Sequence, residues 1–220
     1  MVAVALGTPE QFGFSVVVSD ATSDTVSISY AGLPANQPQT YQNFVAIWEA
    51  TMIPWTVQPL KKESIGSNSQ QGSFEMDGLT VTHTSYIVGY GVGPDITTIC
   101  ASAVLMLGGL AAAPTSVSIA LSRLGPSSLV VGYRTLAGYL PQQYGNWVGL
   151  WRGYASPYNA APPLAKARVD SMASEGEVVF NDVALAIDAD YTLIYFVGAD
   201  LTTAAAMLNF STAQEPSGAV

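Results

Sequence analysis

Apolar residues along this chain fall in short β-rich runs broken by turn clusters, and no segment holds a 3.6-residue apolar period over helical length. Ser15–Asp20, Val26–Tyr30, Phe44–Trp48, Gly72–Met76, Ser85–Tyr90 and Ile99–Leu105 each predict a strand. Clusters at 20–24, 34–38 and 76–78, rich in Asp, Asn, Pro, Gly and Ser, predict the turns between them. The series then starts again with Ser116–Ser122, Ser128–Tyr133, Trp147–Trp151, Glu177–Phe180, Tyr191–Val197 and Ala205–Phe210.

The second series is a copy of the first. Laying Val26–Tyr30 over Leu129–Tyr133 sets an offset of 103, which also matches Pro38 with Pro141, Tyr41 with Tyr144, Asn43 with Asn146 and Trp48 with Trp151. Further on the offset becomes 105 and pairs Tyr86, Tyr90, Gly93, Asp95 and Thr97–Thr98 with Tyr191, Tyr195, Gly198, Asp200 and Thr202–Thr203. A tandem duplication follows, with repeats at 1–108 and 115–220 and a Gly/Ala/Pro joint at 109–114 too short for free tumbling. Each repeat has the size of a domain able to bury a core. Any property shared by both copies belongs to the fold before it belongs to a site.

Six or seven short strands per hundred residues, with an aromatic on the third, predict two tandem immunoglobulin/fibronectin-like antiparallel β-sandwiches. The third strand, Tyr144-Gly-Asn-Trp-Val-Gly-Leu-Trp151 and its partner Tyr41-Gln-Asn-Phe-Val-Ala-Ile-Trp48, resembles the Asp-Trp-Ile/Val-Gly-Leu-Phe stretch of SKICH-type immunoglobulin-like domains, with Asn in place of Asp. About ten residues per copy carry this resemblance, which implies a structural core strand and no catalytic residue.

Charge narrows the partners. The chain has 7 Lys+Arg against 16 Asp+Glu, a net charge of −9, and only Lys61 and Lys62 are adjacent cations. Nucleic acid and anionic membrane surfaces are therefore excluded as expected partners. Only 10% of residues are charged where a soluble domain averages about 25%. With a hydrophobic fraction of 49%, this predicts apolar surface covered by another subunit or a ligand, hence a homo-oligomer. No run of 18 apolar residues and no secretory signal pattern occurs, so the expectation is a cytoplasmic protein without a transmembrane segment, non-classical release remaining open.

Candidate chemistry is thin. Cys100 has Ala205 near its place in the other copy and reads as a small buried side chain. His83 has no activated hydroxyl or cysteine in a recognisable nucleophile motif to serve, so no catalytic residue is named. The pairs Glu175/Glu177, Asp188/Asp190 and Glu75/Asp77 flank turns and lack a calcium-loop pattern; no metal ligand or cofactor is expected. Asp95 and Asp200 are expected to cap their turns through side-chain hydrogen bonds. The aromatics are the remaining handle. Trp147 and Trp151 share one strand face while Val148 and Leu150 occupy the other, so one face fills a core and the other is an interface or a stacking platform for a sugar. Trp55 and Tyr158 follow a proline in matched loops. The ligand or interface candidates are thus Trp48, Trp55, Trp147, Trp151, Tyr154 and Tyr158, in a non-enzymatic binding or self-assembling structural protein. A lectin-like carbohydrate binder or leaderless toxin using the loop aromatics is the alternative.

Overall fold

The computed structural model describes residues 4–6, 8–81, 85–106, 112–125 and 127–214. Two short strands, β1 (Val4–Leu6) and β2 (Glu10–Gly13), form an arm ahead of the first repeat. The repeat itself comprises β3 (Ser15–Ala21), β4 (Val26–Ala31), β5 (Phe44–Trp48), β6 (Lys61–Ser64), β7 (Gln71–Met76), β8 (Ser85–Gly91) and β9 (Ile99–Met106). A second arm, β10 (Ala112–Ser116), precedes β11 (Ser118–Leu124), β12 (Ser128–Arg134), β13 (Trp147–Arg152), β14 (Ala165–Arg168), β15 (Glu175–Asn181), β16 (Ala189–Phe196) and β17 (Ala204–Gln214). Among the described residues the only helical segments are 3₁₀ turns at Ile96–Thr98, Pro157–Asn159 and Leu201–Thr203, and no helix is long and apolar enough to cross a membrane.

All ladders are antiparallel, and each repeat divides its seven strands three against four. In the first, β3-β4-β7 faces β9-β8-β5-β6; in the second, β11-β12-β15 faces β17-β16-β13-β14. The fourth strand joins the third rather than the three-stranded sheet, where a constant-type immunoglobulin domain would put it, which is the fibronectin-like variant of the sandwich. The chain is therefore two tandem immunoglobulin/fibronectin-like sandwiches built from one duplicated unit. Matched residues occupy matched registers: Val45 faces Tyr90 and Val148 faces Tyr195, while Tyr30 stacks near Tyr90 at 5.5 Å and Tyr133 near Tyr195 at 5.7 Å.

Burial patterns show which faces are covered. Strand β4 alternates strictly, with Val26, Ile28 and Tyr30 inward. Strands β5 and β13 are buried throughout from Phe44 to Trp48 and from Trp147 to Trp151, so both of their faces are shut. In the first repeat the two faces belong to separate cores: Val45, Ile47, Val88 and Tyr90 fill the sandwich, whereas Phe44, Ala46, Trp48 and Ile87 pack outside it with Ile53, Ile99 and Leu136. The cover expected from another subunit comes from the chain itself. The connections after β5 and β13 fold back over the outer faces, with Trp48 Nε1 donating to the Val57 carbonyl at 2.9 Å and Trp151 Nε1 to Ala161 at 2.7 Å. Leu136 adds cover from the other repeat.

Five strands carry no signal in the hydrophobic pattern: β1, β2, β6, β10 and β14. β6 and β14 are four-residue sheet edges holding Lys61, Lys62, Lys166 and Arg168, four of the seven basic residues of the chain. Short, lysine-bearing edges discourage edge-to-edge pairing with other chains, so the few cations stand where they do that work. Of the expected joint, 109–111 lie outside the described residues, and its remainder is part of strand β10.

The two arms bind reciprocally across the duplication. β10 pairs with β9, aligning Ser116 with Ala101, and β2 pairs with β17, aligning Gly13 with Ala206. These registers match under the offsets of 103 and 105. Each arm thus lies on the last strand of the repeat it does not introduce.

Candidate functional site

A surface hollow of about 460 Å³ lies on the outer face of β11-β12-β15. Its geometry follows from strand alternation. Val131 and Tyr133 point into the sandwich, so Gly132 and Arg134 face outward. Gly132 is flanked by Ala120 on β11 and Glu177 on β15, and Arg134 by Ser118 and Glu175. Small side chains at Gly132 and Ala120 leave the floor low. Arg134, Glu175, Glu177 and Ser118 form a polar rim, with Arg134 Nε 3.4 Å from a Glu175 oxygen. The arm closes one end: Gln11 lines the hollow and donates from Nε2 to the Ile119 carbonyl at 3.1 Å.

The same face of the first repeat is different. Ser29 there is flanked by Val17 and Ser73, and Ala31 by Ser15 and Gln71. Val17 replaces Ala120, Ser29 replaces Gly132, Ala31 replaces Arg134, Gln71 replaces Glu175 and Ser73 replaces Glu177. At these positions no charge and no low floor remain. This asymmetry sets the hollow apart as the candidate site.

None of the six aromatic candidates lines the hollow. Trp48, Trp147 and Trp151 are between 2% and 4% exposed. Trp147 is sandwiched between the Phe196 ring at 3.9 Å and the Lys166 ammonium at 3.7 Å, and its Nε1 donates to the Gly198 carbonyl at 2.9 Å. A Cβ at Gly149 would run into the Trp151 ring, so glycine there makes room for the two indoles. Trp55 and Tyr158 pack within the chain, between the repeats. Trp55 meets Tyr139 edge-on at 4.8 Å and donates to the Ala137 carbonyl at 3.0 Å, while Tyr158 stacks on Tyr41 at 4.8 Å. Tyr154 alone is open, at 65% exposure.

The Asn matched between the copies, just ahead of β5 and β13, has a structural task. Asn146 accepts from the Tyr195 hydroxyl at 2.8 Å and donates to Tyr139 Oη at 3.1 Å; Tyr139 Oη in turn lies 2.8 Å from the Thr97 carbonyl of the first repeat and 3.0 Å from that of Val197. Asn43 bonds Tyr90 at 3.0 Å in the first repeat. Burial pushes the hydroxyls of Tyr90, Tyr139, Tyr158 and Tyr195 well above the ordinary phenol range, and it raises the Cys100 thiol likewise. Such groups stay neutral and inert at physiological pH.

Asp95 and Asp200 cap nothing with their carboxylates. Their carbonyls accept instead, from Thr98 Oγ1 at 2.7 Å and Thr203 Oγ1 at 2.6 Å, so the second threonine closes each turn. His83 lies outside the described residues. Among the described residues no three His, Cys, Asp or Glu side chains gather closely enough to hold a metal ion.

No protein-family model and no curated protein matches the sequence. Solved structures with a likeness include the two tandem V-type regions of VCBP3, a v-region-containing chitin binding protein, at 12% identity over 92% of this chain and 99% of that one, TM-score 0.31. The FN1–FN3 domains of chicken CNTN1 are similar at 11% identity over 90% of this chain and 64% of that one, TM-score 0.29. The BSP domain of a biofilm associated protein is similar at 13% identity over 86% and 26%, TM-score 0.22.

Proposed function

We propose that this chain is a non-enzymatic binding protein that takes a neutral polyhydroxylated ligand, a sugar, in the hollow of the second repeat. The observation that carries the reading is the asymmetry of the duplication. Charged groups with complementary hydrogen-bonding roles, Arg134, Glu175 and Glu177, converge around Gly132 and Ala120, where the first copy has Ala31, Gln71 and Ser73. Carboxylates accept from hydroxyl pairs, while a guanidinium and an amide donate to ring and hydroxyl oxygens, and a low floor admits a flat ring. Arg134 pairs with Glu175 and the Glu177 carboxylate is left over, which disfavours an anionic ligand. So open a site makes few contacts, and dissociation constants of about 10 µM to 1 mM are expected.

Calorimetric titration with a panel of neutral oligosaccharides tests this. Arg134→Ala and Glu177→Gln should each weaken binding about tenfold, the loss of one charge-assisted hydrogen bond, with the melting temperature unchanged. Saturable binding that survives both substitutions would move the site elsewhere, and absence of binding across the panel would reject the sugar reading.

A further inference from the structure

The two arms make the same strand pairing, yet the chain tethers them differently. β10 is joined to its acceptor β9 through residues 107–111, so its pairing is fixed within the copy. β2 is joined through Phe14 to β3 of the first repeat, while its acceptor β17 closes the second repeat. Phe14 is buried and stacks on Tyr90 at 5.3 Å, which anchors the root of the arm in the first repeat. Beyond that root every arm contact described above is to the second repeat: the ladder from Gly13 to Glu10 on Ala206–Asn209, the ladder of Val4–Leu6 on Thr212–Gln214, and the Gln11 bond to Ile119.

We infer that this arm exchanges between two copies of the chain, β1 and β2 of each pairing with β17 of the other, to give an arm-swapped dimer. The pairing is light enough to open. Glu10, Gln11 and Gly13 are exposed and only Phe12 is half-buried, so little apolar surface is uncovered when the strand leaves. What the arm leaves is an unpaired edge at Ala206–Asn209 and Thr212–Gln214, and a second copy carries the one sequence already fitted to that edge in register. Exchange regains every bond it breaks, so its cost is chiefly the association entropy and concentration sets the balance. It also delivers Gln11 of one copy to the hollow of the other. The dimer stands independently of which ligand the hollow takes.

Glu10 and Asn209 are direct partners in the ladder, one exposed and the other partly so. In a Cys100→Ala background, chains carrying Glu10→Cys are mixed with chains carrying Asn209→Cys at high concentration and oxidised. A covalent heterodimer, absent when either variant is oxidised alone, is the expected result. The chain carrying both substitutions, oxidised when dilute, should close internally and lose the dimer seen by light scattering. If the double variant closes quantitatively while the mixed variants never link, the arm stays in its own copy and the inference falls. Should neither bridge form, light scattering of the parent and of a chain lacking residues 1–13 decides: a dimer present only with the arm supports exchange, and a monomer at every concentration overturns it.

Discussion

The outer faces of the two four-stranded sheets are filled in opposite ways. Across the first sheet one row reads Ala46, Gly89, Ser102 and Thr115; across the second the matching row reads Gly149, Ile194, Met207 and Phe12. Where the sheet is low, the overlying connection supplies the bulk, and Ile53 descends so far that a Cβ on Gly89 would press on it. Where the sheet is high, its own side chains and the paired indoles do the filling. A notch of about 170 Å³ between Ile53, Ile87, Val104 and Leu136 is left in the first repeat. Duplicated sandwiches can therefore trade volume between strand and loop while their inner cores stay matched, as close packing demands. The exposed three-stranded faces escape that demand. There the copies diverge in chemistry, and there the hollow lies.

The steepest contrast between the repeats should appear at alkaline pH. Tyr90 in the first repeat and Tyr139, Tyr158 and Tyr195 in the second hold raised phenols. Below about pH 10 both folded and unfolded phenols keep their protons and pH has no effect through them. Above it the unfolded chain releases protons that the buried groups hold, so each group lowers stability by about 1.4 kcal/mol per pH unit. Four together give roughly 5 kcal/mol per unit in urea unfolding. Amide exchange should show the second repeat opening first, and equal alkaline sensitivity of the repeats would break the contrast.

Next come the indoles. Trp151→Ala and Trp48→Ala each remove a buried ring and should each cost about 3–5 kcal/mol in urea unfolding, despite their different surroundings. A variant that unfolds like the parent would mean that the overlying connection collapses into the gap. Tyr139→Phe sharpens the junction: it deletes the hydroxyl that reaches the Thr97 carbonyl, and a loss of about 1–3 kcal/mol is expected, whereas Asn36→Ala, at the equivalent position, should cost less. The smallest effects belong to the lysines over the rings, where Lys166→Met and Lys62→Met should each change stability by no more than about 1 kcal/mol.

Much of this fold is legible in the sequence because matched aromatics and asparagines fix the repeat, and β-rich runs locate the strands that build the cores. The edge strands β6 and β14 are not, since four residues rich in Lys carry no apolar period. Nor are β2 and β10, whose pairing is set by the other repeat. The covered outer faces mislead by composition: 49% hydrophobic residues suggest a missing subunit, yet connections of about a dozen residues fold back and do the covering. The hollow has a faint signature. Arg134 against Ala31 and Glu177 against Ser73 are mismatches in strands that otherwise align, and reading the differences between copies, rather than their shared aromatics, finds it.

That difference is tested most directly by amide chemical shifts of the 23.0 kDa chain titrated with the neutral oligosaccharides of the binding panel. Shifts should concentrate at Gln11, Ser118, Gly132, Arg134 and Glu175–Glu177, with the equivalent residues Ser15, Ser29, Ala31 and Gln71–Ser73 unmoved. Equal shifts on both faces, or shifts only around Tyr154 and the connections over the indoles, would contradict a site created by divergence of the second repeat.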